Sequence, residues 1–222
     1  HRYVDLTPGK VTDDSFLRFG KAIHAVLEWM NHTHQESGLW PTATKIDLKI
    51  DEVVRAHGPW SPGEVDDRIQ EGVRLIYAFL SSGGRSLQPV MTETPFLMEG
   101  PGGLRVYGII DLTTPTGVWD YKTSWHPMHL DGGVATDQLN IYALVYYKIT
   151  GSWPEDLGLI NMIRKTGTCD WLQAECQPDQ VIESAARMVS IWEASRAGTY
   201  PATPSVRACK YCLWKEGCPE KH

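Results

Sequence analysis

Residues 108–124, which read GIIDLTTPTGVWDYKTS, contain the pattern that decides the fold. Two runs rich in β-branched and aromatic residues flank the short connection TPTG, and this arrangement predicts two antiparallel strands joined by a turn. Asp120 and Lys122 are two positions apart on the second strand, so their side chains lie on the same face. Asp111 lies on the first strand and comes close to Asp120 when the strands pair. The stretch therefore predicts two carboxylates and a lysine gathered on a sheet.

Two neighbouring carboxylates in an apolar setting are a signal for metal binding. Like charges repel and raise a carboxyl pKa, and a divalent cation removes this repulsion. Oxygen ligands suit Mg²⁺ or Mn²⁺, and Lys122 would then neutralise a phosphate oxygen or help to orient a water. The alternative is an ordinary solvated hairpin with scattered charges. Ile110 and Leu112 beside Asp111 favour the metal site, because charges among apolar neighbours need partners.

The surrounding elements predict one α/β domain over residues 1–222, with a Cys-rich tail over 199–222. Apolar residues with a period of 3.6 predict a first helix whose buried stripe includes Phe16. Ser61 as N-cap and Glu64 form a capping box at the start of a second helix. In chain order, helices are predicted over 16–31, 61–80, 137–149 and 179–197, and strands over 90–98, 104–113, 118–123 and 157–164. The first three strands form a meander, the fourth is buried on both faces, and residues near 43–54 form a strand or a helix.

Composition and charge narrow the function classes. Hydrophobic residues make up 42% of the 222 positions and charged residues 22%, as is typical of a globular domain. No run of about 18 apolar residues occurs, so we expect no membrane partner. The net charge of −6 argues against a large sequence-independent nucleic-acid footprint, although metal-binding carboxylates contribute to that sum. Five cysteines without a secretory pattern predict a cytoplasmic setting, in the organism's own cell or in the host of a phage.

Four further residues become candidates if the metal site exists. His24 lies at the edge of the apolar stripe of the first helix, either as a core histidine or as a third metal ligand. Gln138 and Tyr142 are four apart on the third helix and share a face, either as a surface pair or as a holder of a phosphate or a base. Glu93 lies on the strand before the hairpin, where the pattern fits an exposed residue as well as a metal ligand.

The C-terminal segment CKYCLWKEGC places Cys209, Cys212 and Cys218 in a C-x2-C-x5-C pattern. Thiolates so close in sequence indicate a metal ion or an iron–sulfur cluster. A closed site needs a fourth ligand, for which Cys169 and Cys176 are candidates within the chain. Spacing alone does not separate zinc from iron–sulfur, so both stay open.

Taken together and in order, these motifs resemble those of the PD-(D/E)XK nuclease superfamily, and within it the RecB-like exonucleases. The matching motifs are GKAIH ending at His24, GIID ending at Asp111, DYK with Asp120 and Lys122, and QLNIY with Gln138 and Tyr142. The cysteine tail is similar to that of the iron–sulfur branch, which includes CRISPR-associated adaptation nucleases and the AddB helicase–nuclease subunit.

The resemblance implies a restriction-endonuclease-like core, in which a central mixed β-sheet is flanked by helices. It implies that the ligands of Mg²⁺ or Mn²⁺ are His24, Asp111, Asp120 and the backbone carbonyl of Tyr121, with Glu93 as a further acid. Lys122 would position the attacking water or the phosphate. Gln138 and Tyr142 would line the path of the DNA.

For the tail, the resemblance implies a 4Fe-4S cluster held by Cys209, Cys212 and Cys218. In the iron–sulfur branch a fourth cysteine lies upstream of the histidine motif. No cysteine precedes His24 in this sequence. A zinc ion in place of the cluster therefore stays an alternative.

The expected function is that of a metal-dependent DNA exonuclease, a hydrolase that acts in recombination, repair, or phage or CRISPR DNA processing. The expected partners are single-stranded or free-ended DNA and a helicase or recombination protein. The main alternative is a DNA-binding or scaffold module that has a nuclease-like fold but does not cut. A small zinc-stabilised domain with another enzymatic activity is the third possibility.

Overall fold

A computed structural model describes residues 15–130, 134–199, 204–206, 209, 212 and 215–220. The helices are α1 (Ser15–Ser37), α2 (Ala43–Ala56), α3 (Glu64–Ser81), α4 (Val134–Thr150) and α5 (Pro178–Arg196). The strands are β1 (Met91–Glu99), β2 (Arg105–Thr113), β3 (Gly117–Ser124), β4 (Asp156–Ile163) and β5 (Thr168–Ala174). All four predicted helices and all four predicted strands are present. The ambiguous segment near 43–54 forms α2, and β5 is a strand that the sequence patterns did not reveal.

The five strands form one mixed sheet in the order β1-β2-β3-β4-β5. β1, β2 and β3 are antiparallel neighbours, which confirms the predicted meander. The chain then passes through α4 and returns as β4, parallel to β3, and β5 pairs antiparallel with β4. This mixed sheet between helices confirms the predicted α/β class. The parallel pair matters for function, because ligands of α/β sheets commonly bind at the carboxyl ends of parallel strands.

Helices cover the two faces of the sheet in separate core clusters. The helical cluster joins α1, α2 and α3 to Leu112, Trp119 and Tyr121 of the sheet. The α4 cluster joins α4 and Val181 of α5 to the opposite face, including Val118. β4 contributes alternate residues to both clusters, which confirms that it is buried on both faces. None of the helices in the described ranges combines the length and the apolar composition that a membrane span requires.

The β1–β2 hairpin changes faces part-way along its length. The pair Thr92↔Leu112 faces the helical cluster. The next pair, Thr94↔Ile110, faces the other way, since Ile110 packs in the α4 cluster. Side chains two residues apart share a face in a regular strand, so both strands rotate between these pairs. The rotation falls at Glu93, which has a positive φ of 43°. In the described part of the chain, the other residues with positive φ are glycines.

Two local predictions were wrong. Phe16 is 56% exposed, because the buried stripe of α1 begins at Phe19, almost one turn later. α3 begins at Glu64, and the residue in the N-cap position is Gly63 with a left-handed φ of 83°, so Ser61 does not cap the helix. The Ser61 N–H nevertheless donates to Glu64 Oε2 at 3.0 Å, which is one half of the predicted capping box.

Candidate active site

Asp111 lies where β2 and β3 separate. The recorded register between these strands ends at the pair Leu112↔Trp119. One residue further, Asp111 Oδ2 accepts the Tyr121 N–H at 2.7 Å. The carboxylate therefore satisfies a buried backbone donor that the strand ladder leaves open. This hydrogen bond accounts for an aspartate that is 7% exposed between two apolar strand residues.

α1 brings His24 to the same place. Gly20, one turn earlier, lets the helix approach β3 closely, since a Cβ there would lie 3.1 Å from Thr123 Oγ1. His24 Nδ1 lies 3.3 Å from Glu93 Oε1 and 3.6 Å from Asp111 Oδ1. Burial alone would lower the pKa of His24, but hydrogen bonds and charge from the two carboxylates outweigh burial and raise the pKa to about 10. Without a metal, the ring holds a proton between two acids.

Glu93 reaches this group from a strained backbone. Its φ of 43° lies in the left-handed region, which costs a residue with a Cβ about 1–2 kcal/mol. Such strain persists where the surrounding structure fixes it, and it concentrates at functional sites. A glycine would adopt this backbone without strain, whereas Glu93 places a carboxylate 3.3 Å from His24 Nδ1.

His24, Glu93 and Asp111 form a group that fits a divalent cation. Their ligand atoms all lie within 4.8 Å of one another. Among the described residues, these are the three His, Cys, Asp or Glu side chains that converge closely enough to share one metal ion. One imidazole and two carboxylates suit Mg²⁺ or Mn²⁺. The structure thus brings together three of the predicted ligands, including Glu93, for which the sequence pattern was least specific. Asp120 lies outside this group, because its carboxylate turns to other partners.

Asp120 and Lys122 form an ion pair on the face of β3 that α4 covers. Lys122 Nζ lies 2.6 Å from Asp120 Oδ2, on a carboxylate that is 2% exposed. Among the described residues, Lys122 is the partner that Oδ2 has within ion-pair distance. Burial raises the pKa of Asp120 most, and the charge of Asp111 adds to it, so the pKa reaches about 6 despite Lys122 and His24. Lys122 is thus the cation nearest to this buried carboxylate, and its single positive charge faces more than one negative charge.

α4 places Gln138 between this ion pair and Tyr142. Gln138 Nε2 donates to Asp120 Oδ1 at 3.0 Å and to Tyr142 OH at 2.7 Å, while Oε1 accepts from Lys122 Nζ at 3.2 Å. Tyr142 OH donates to Ile109 O at 2.7 Å, and burial raises its pKa. The two side chains that were predicted to share a helix face thus point at the site and orient Asp120 and Lys122.

Asn31 is a residue of this site that sequence patterns did not reveal. Its Nδ2 donates to Thr92 Oγ1 and to Tyr121 OH, both at 3.2 Å. Thr92 Oγ1 donates onward to Asp111 O at 3.1 Å. These buried groups tie α1 to the three strands that carry the acids. A polar residue seven positions after His24, two helical turns along an apolar stripe, was the available signal.

Among the residues that the structure describes, the cysteines do not form a comparable group of ligands. Cys209, Cys212 and Cys218 lie in successive turns, with the Cys212 N–H donating to Cys209 O at 3.4 Å. Cys169 packs against the helical cluster and Cys176 against the α4 cluster, on opposite faces of the sheet. Within the part of the chain that the structure describes, none of the five joins two further ligand atoms within 4.8 Å. The cluster or zinc site stays a prediction.

Comparisons with known proteins show which family and which solved structures the chain is similar to. The family model described as the PD-(D/E)XK nuclease superfamily matches residues 2–219. A solved structure from Eubacterium rectale, described as a "Putative exonuclease", is 11% identical with a TM-score of 0.53, and the match covers 95% of this chain and 94% of that chain. The crystal structure of SSO0001 is 16% identical with a TM-score of 0.42, covering 89% of this chain and 96% of that chain. No curated protein matches the sequence significantly.

Proposed function

The chain belongs to the PD-(D/E)XK nuclease superfamily, and from this membership we propose that it is a metal-dependent deoxyribonuclease that hydrolyses phosphodiester bonds. One observation carries the proposal. The ligand atoms of His24, Glu93 and Asp111 converge within 4.8 Å beside the Asp120–Lys122 ion pair. Three carboxylates and one lysine leave net negative charge in a buried place, which Mg²⁺ or Mn²⁺ would neutralise.

His24, Glu93 and Asp111 would hold the cation, and the Asp120 carboxylate and the Tyr121 carbonyl would supply further oxygen ligands from β3 once Lys122 leaves Asp120. When bound, such a cation supplies a water of lowered pKa and stabilises the negative charge that develops on a phosphate. Lys122 would move from Asp120 to the scissile phosphate or to the attacking water, since both need a positive charge or a donor at that point. In the metal-bound site, the carboxylates would then contact the cation, and Lys122 would contact the phosphate or the water.

Gln138 and Tyr142 would keep Asp120 and Lys122 oriented while the substrate binds. Gln138 Nε2 and Oε1 already contact both side chains, and Tyr142 anchors the amide through the carbonyl of Ile109. A side chain that is prepositioned in this way loses less entropy when substrate arrives. Both residues would also border the path of the DNA, next to Lys122.

The decisive experiment is a hydrolysis assay on labelled single-stranded and double-stranded DNA with Mn²⁺. The wild-type chain should release product, and Asp120→Ala should not. Asp51→Ala is a matched control, because Asp51 is an aspartate that forms an exposed ion pair with Arg55 on α2. Equal product from wild type and Asp120→Ala would overturn the proposal.

We further propose that the enzyme is an exonuclease acting on single-stranded or free-ended DNA. The description of the Eubacterium rectale structure as a "Putative exonuclease" motivates this proposal. At 11% identity the likeness itself shows the fold alone. A linear strand should be degraded, whereas a circular single strand of the same length should persist. Cleavage of both at equal rates would indicate an endonuclease. Recombination, repair, and phage or CRISPR processing, with a helicase as partner, are the pathways that this activity would serve.

A module that binds DNA without cutting is the second candidate, and the net charge of −6 is compatible with it. It would bind labelled DNA and produce no cleavage with either Mg²⁺ or Mn²⁺.

For the tail, we propose a 4Fe-4S cluster at Cys209, Cys212 and Cys218, with zinc as the alternative. Metal analysis of anaerobically purified protein separates the two, since iron and sulfide in equal amounts indicate the cluster and zinc alone indicates the ion.

A further inference from the structure

An exposed indole stands at the carboxyl end of β3, three residues after Lys122. Trp125 is 56% exposed, and its ring lies 5.6 Å from the guanidinium carbon of Arg164. The Arg164 guanidinium also lies over Phe19 of α1, so Trp125 stands on the helical-cluster face of the sheet, and Phe19 is five residues, or about 7.5 Å along the helix, from His24. Trp125 therefore contributes little to the hydrophobic core, because one face of its ring contacts a cation and much of its surface is in solvent.

Arg164 holds that indole from a fixed position. Its Nε and NH2 donate to the two carboxylate oxygens of Glu71 at 2.8 and 3.0 Å. Its backbone N–H donates to Ser124 O at 2.8 Å, and its guanidinium also stacks on Phe19 at 4.8 Å. Arg164 is 9% exposed. The support under Trp125 is therefore buried, bidentate and tied to the strand end itself, so the ring is preorganised for a contact on its outer side.

We propose that Trp125 is a stacking platform for an unpaired nucleobase of the DNA strand next to the scissile phosphate. The proposal rests on the proposed nuclease function, and it specifies the substrate as DNA with unpaired bases near the cut. An indole stacks on the π-face of any base, which makes the contact tolerant of sequence. In a duplex both faces of a base are already stacked, so the platform favours single strands and frayed ends.

The test measures binding of a labelled single-stranded oligonucleotide by fluorescence anisotropy, with EDTA and separately with Ca²⁺ present. Stacking of one base on an aromatic side chain stabilises a complex by about 1–3 kcal/mol, so Trp125→Ala should weaken binding by roughly 5- to 150-fold at about 1.4 kcal/mol per tenfold. Trp125→Phe should keep most of the affinity. Trp125→Leu should behave as Trp125→Ala, although it still covers Arg164 with apolar surface.

An abasic substitution identifies the base that is stacked. Moved along the oligonucleotide, it should weaken binding of the wild type at one position and have no effect on Trp125→Ala at that position. Trp153→Ala is the control, because Trp153 stacks on Tyr147 and precedes the first residue of β4, at the opposite end of the parallel β3–β4 pair from Trp125. It should bind like the wild type and show the same abasic position.

Three results would overturn the platform. They are equal abasic penalties in the wild type and Trp125→Ala, an equal loss of duplex and single-strand binding in Trp125→Ala, and the absence of binding by the wild type in both buffers. The binding assay does not need hydrolysis, so the two proposals fail separately. Base-dependent binding without cleavage would contradict the nuclease alone, and cleavage with base-independent binding would contradict the platform alone.

Discussion

Two clusters of charged side chains in this fold differ in their balance of charge. The ion-pair network has two carboxylates and two guanidinium groups, and it consists of Glu64, Arg68, Glu71 and Arg164. The metal-site cluster has three carboxylates, one ammonium and one imidazole, and it consists of His24, Glu93, Asp111, Asp120 and Lys122. The first sums to zero, and the second is negative by one while His24 holds its proton and by two when His24 gives up that proton to bind a metal.

The ion-pair network is complete without a ligand. Glu71 accepts two hydrogen bonds from Arg164 and one from Arg68 at 2.9 Å. Burial would raise the pKa of Glu71, but these partners outweigh it and lower the pKa. In the metal-site cluster the pKa of Asp120 is raised instead. The difference teaches that charge balance separates a cluster that stabilises the fold from one that is prepared for a cation, although both are built from the same residue types.

Asp120→Asn is the variant for which we expect the largest effect, and it tests whether the metal-site cluster is the active site. Hydrolysis should fall by about 10³-fold, since removing one electrostatic contact to the transition state costs about 10²–10³-fold and Lys122 loses its partner as well. The free energy of unfolding in EDTA should rise, because the buried excess charge is reduced. The measurement pairs steady-state rates with urea unfolding. A stable and fully active variant would show that the cluster is not the site.

Arg164→Met should have the opposite effect on stability. Removing one partner of a buried ion pair costs about 3–5 kcal/mol, because the carboxylate of Glu71 keeps its charge without its main donor. Urea unfolding measures the loss. Arg55→Met is the matched control, since the Arg55–Asp51 pair is exposed and solvent screens such pairs, so its loss should change stability little. Equal losses in the two variants would contradict the assignment of the network as a buried stabilising element.

Metal addition should stabilise the protein through the metal-site cluster alone. At a Mn²⁺ concentration of 100 times Kd, the gain is about 2.7 kcal/mol, or roughly 5–10 °C in Tm for a chain of this size. EDTA should reverse the shift. Asp111→Asn should abolish it, whereas Arg55→Met should keep it. A shift that survives in Asp111→Asn would place the bound ion elsewhere, for example at the tail cysteines.

Asn31→Ala should act on the metal site without touching the ion. Outer hydrogen-bonding partners of metal ligands typically change affinity by about 10- to 100-fold, and Asn31 connects the strands that carry the ligands. Mn²⁺ binding measured by calorimetry should weaken within that range. Thr33→Ala is the control on the same helix, since Thr33 bonds the carbonyl of Trp29 and lies off the site. Unchanged affinity in Asn31→Ala would reduce its role to packing.

The smallest expected effect is on the pH dependence of the free energy of unfolding. As pH falls, the ion-pair network should lose stability and the metal-free metal-site cluster should gain it. Glu71, whose pKa is lowered from 4.5, contributes stability that is present above that value and lost as pH falls below it. Asp120, whose pKa is raised from 3.8 to about 6, makes the metal-free protein gain stability as pH falls across that interval. Urea unfolding in EDTA should show that Glu71→Gln loses the first effect and Asp120→Asn the second.

The sequence predicted those parts of the molecule that repeat a pattern or match an ordered motif. The 3.6 and 2.0 periods located four helices and four strands, and the motifs located His24 and Asp111 on two separate elements that the fold brings together. β5 was missed, because its residues are half-buried and carry no clear alternation. The segment near 43–54 was ambiguous, because its apolar residues are interrupted by charges at nearly every second position.

Other features could not be predicted because they depend on contacts between distant residues. Asn31 is separated from Tyr121 by 90 positions, and Arg164 is separated from Glu71 by 93. Neither pair shares a local pattern. The role of Glu93 was open for the same reason, since its backbone rotation is set by pairing with β2 and by the packing of two cores. Local periodicity contains no information about such partners.

The rotation of the hairpin at Glu93 also determines how β1 can change in length. Beyond that residue Phe96 contacts Tyr142 of α4, while Leu97 on the next position is 51% exposed. Inserting or deleting one residue between Glu93 and Phe96 would reverse the faces of the side chains beyond it, so the aromatic ring of Phe96 would turn to solvent. Two residues would preserve the alternation. Relatives aligned across this strand should therefore differ in length by even numbers, and their odd-numbered gaps should fall in the turns on either side.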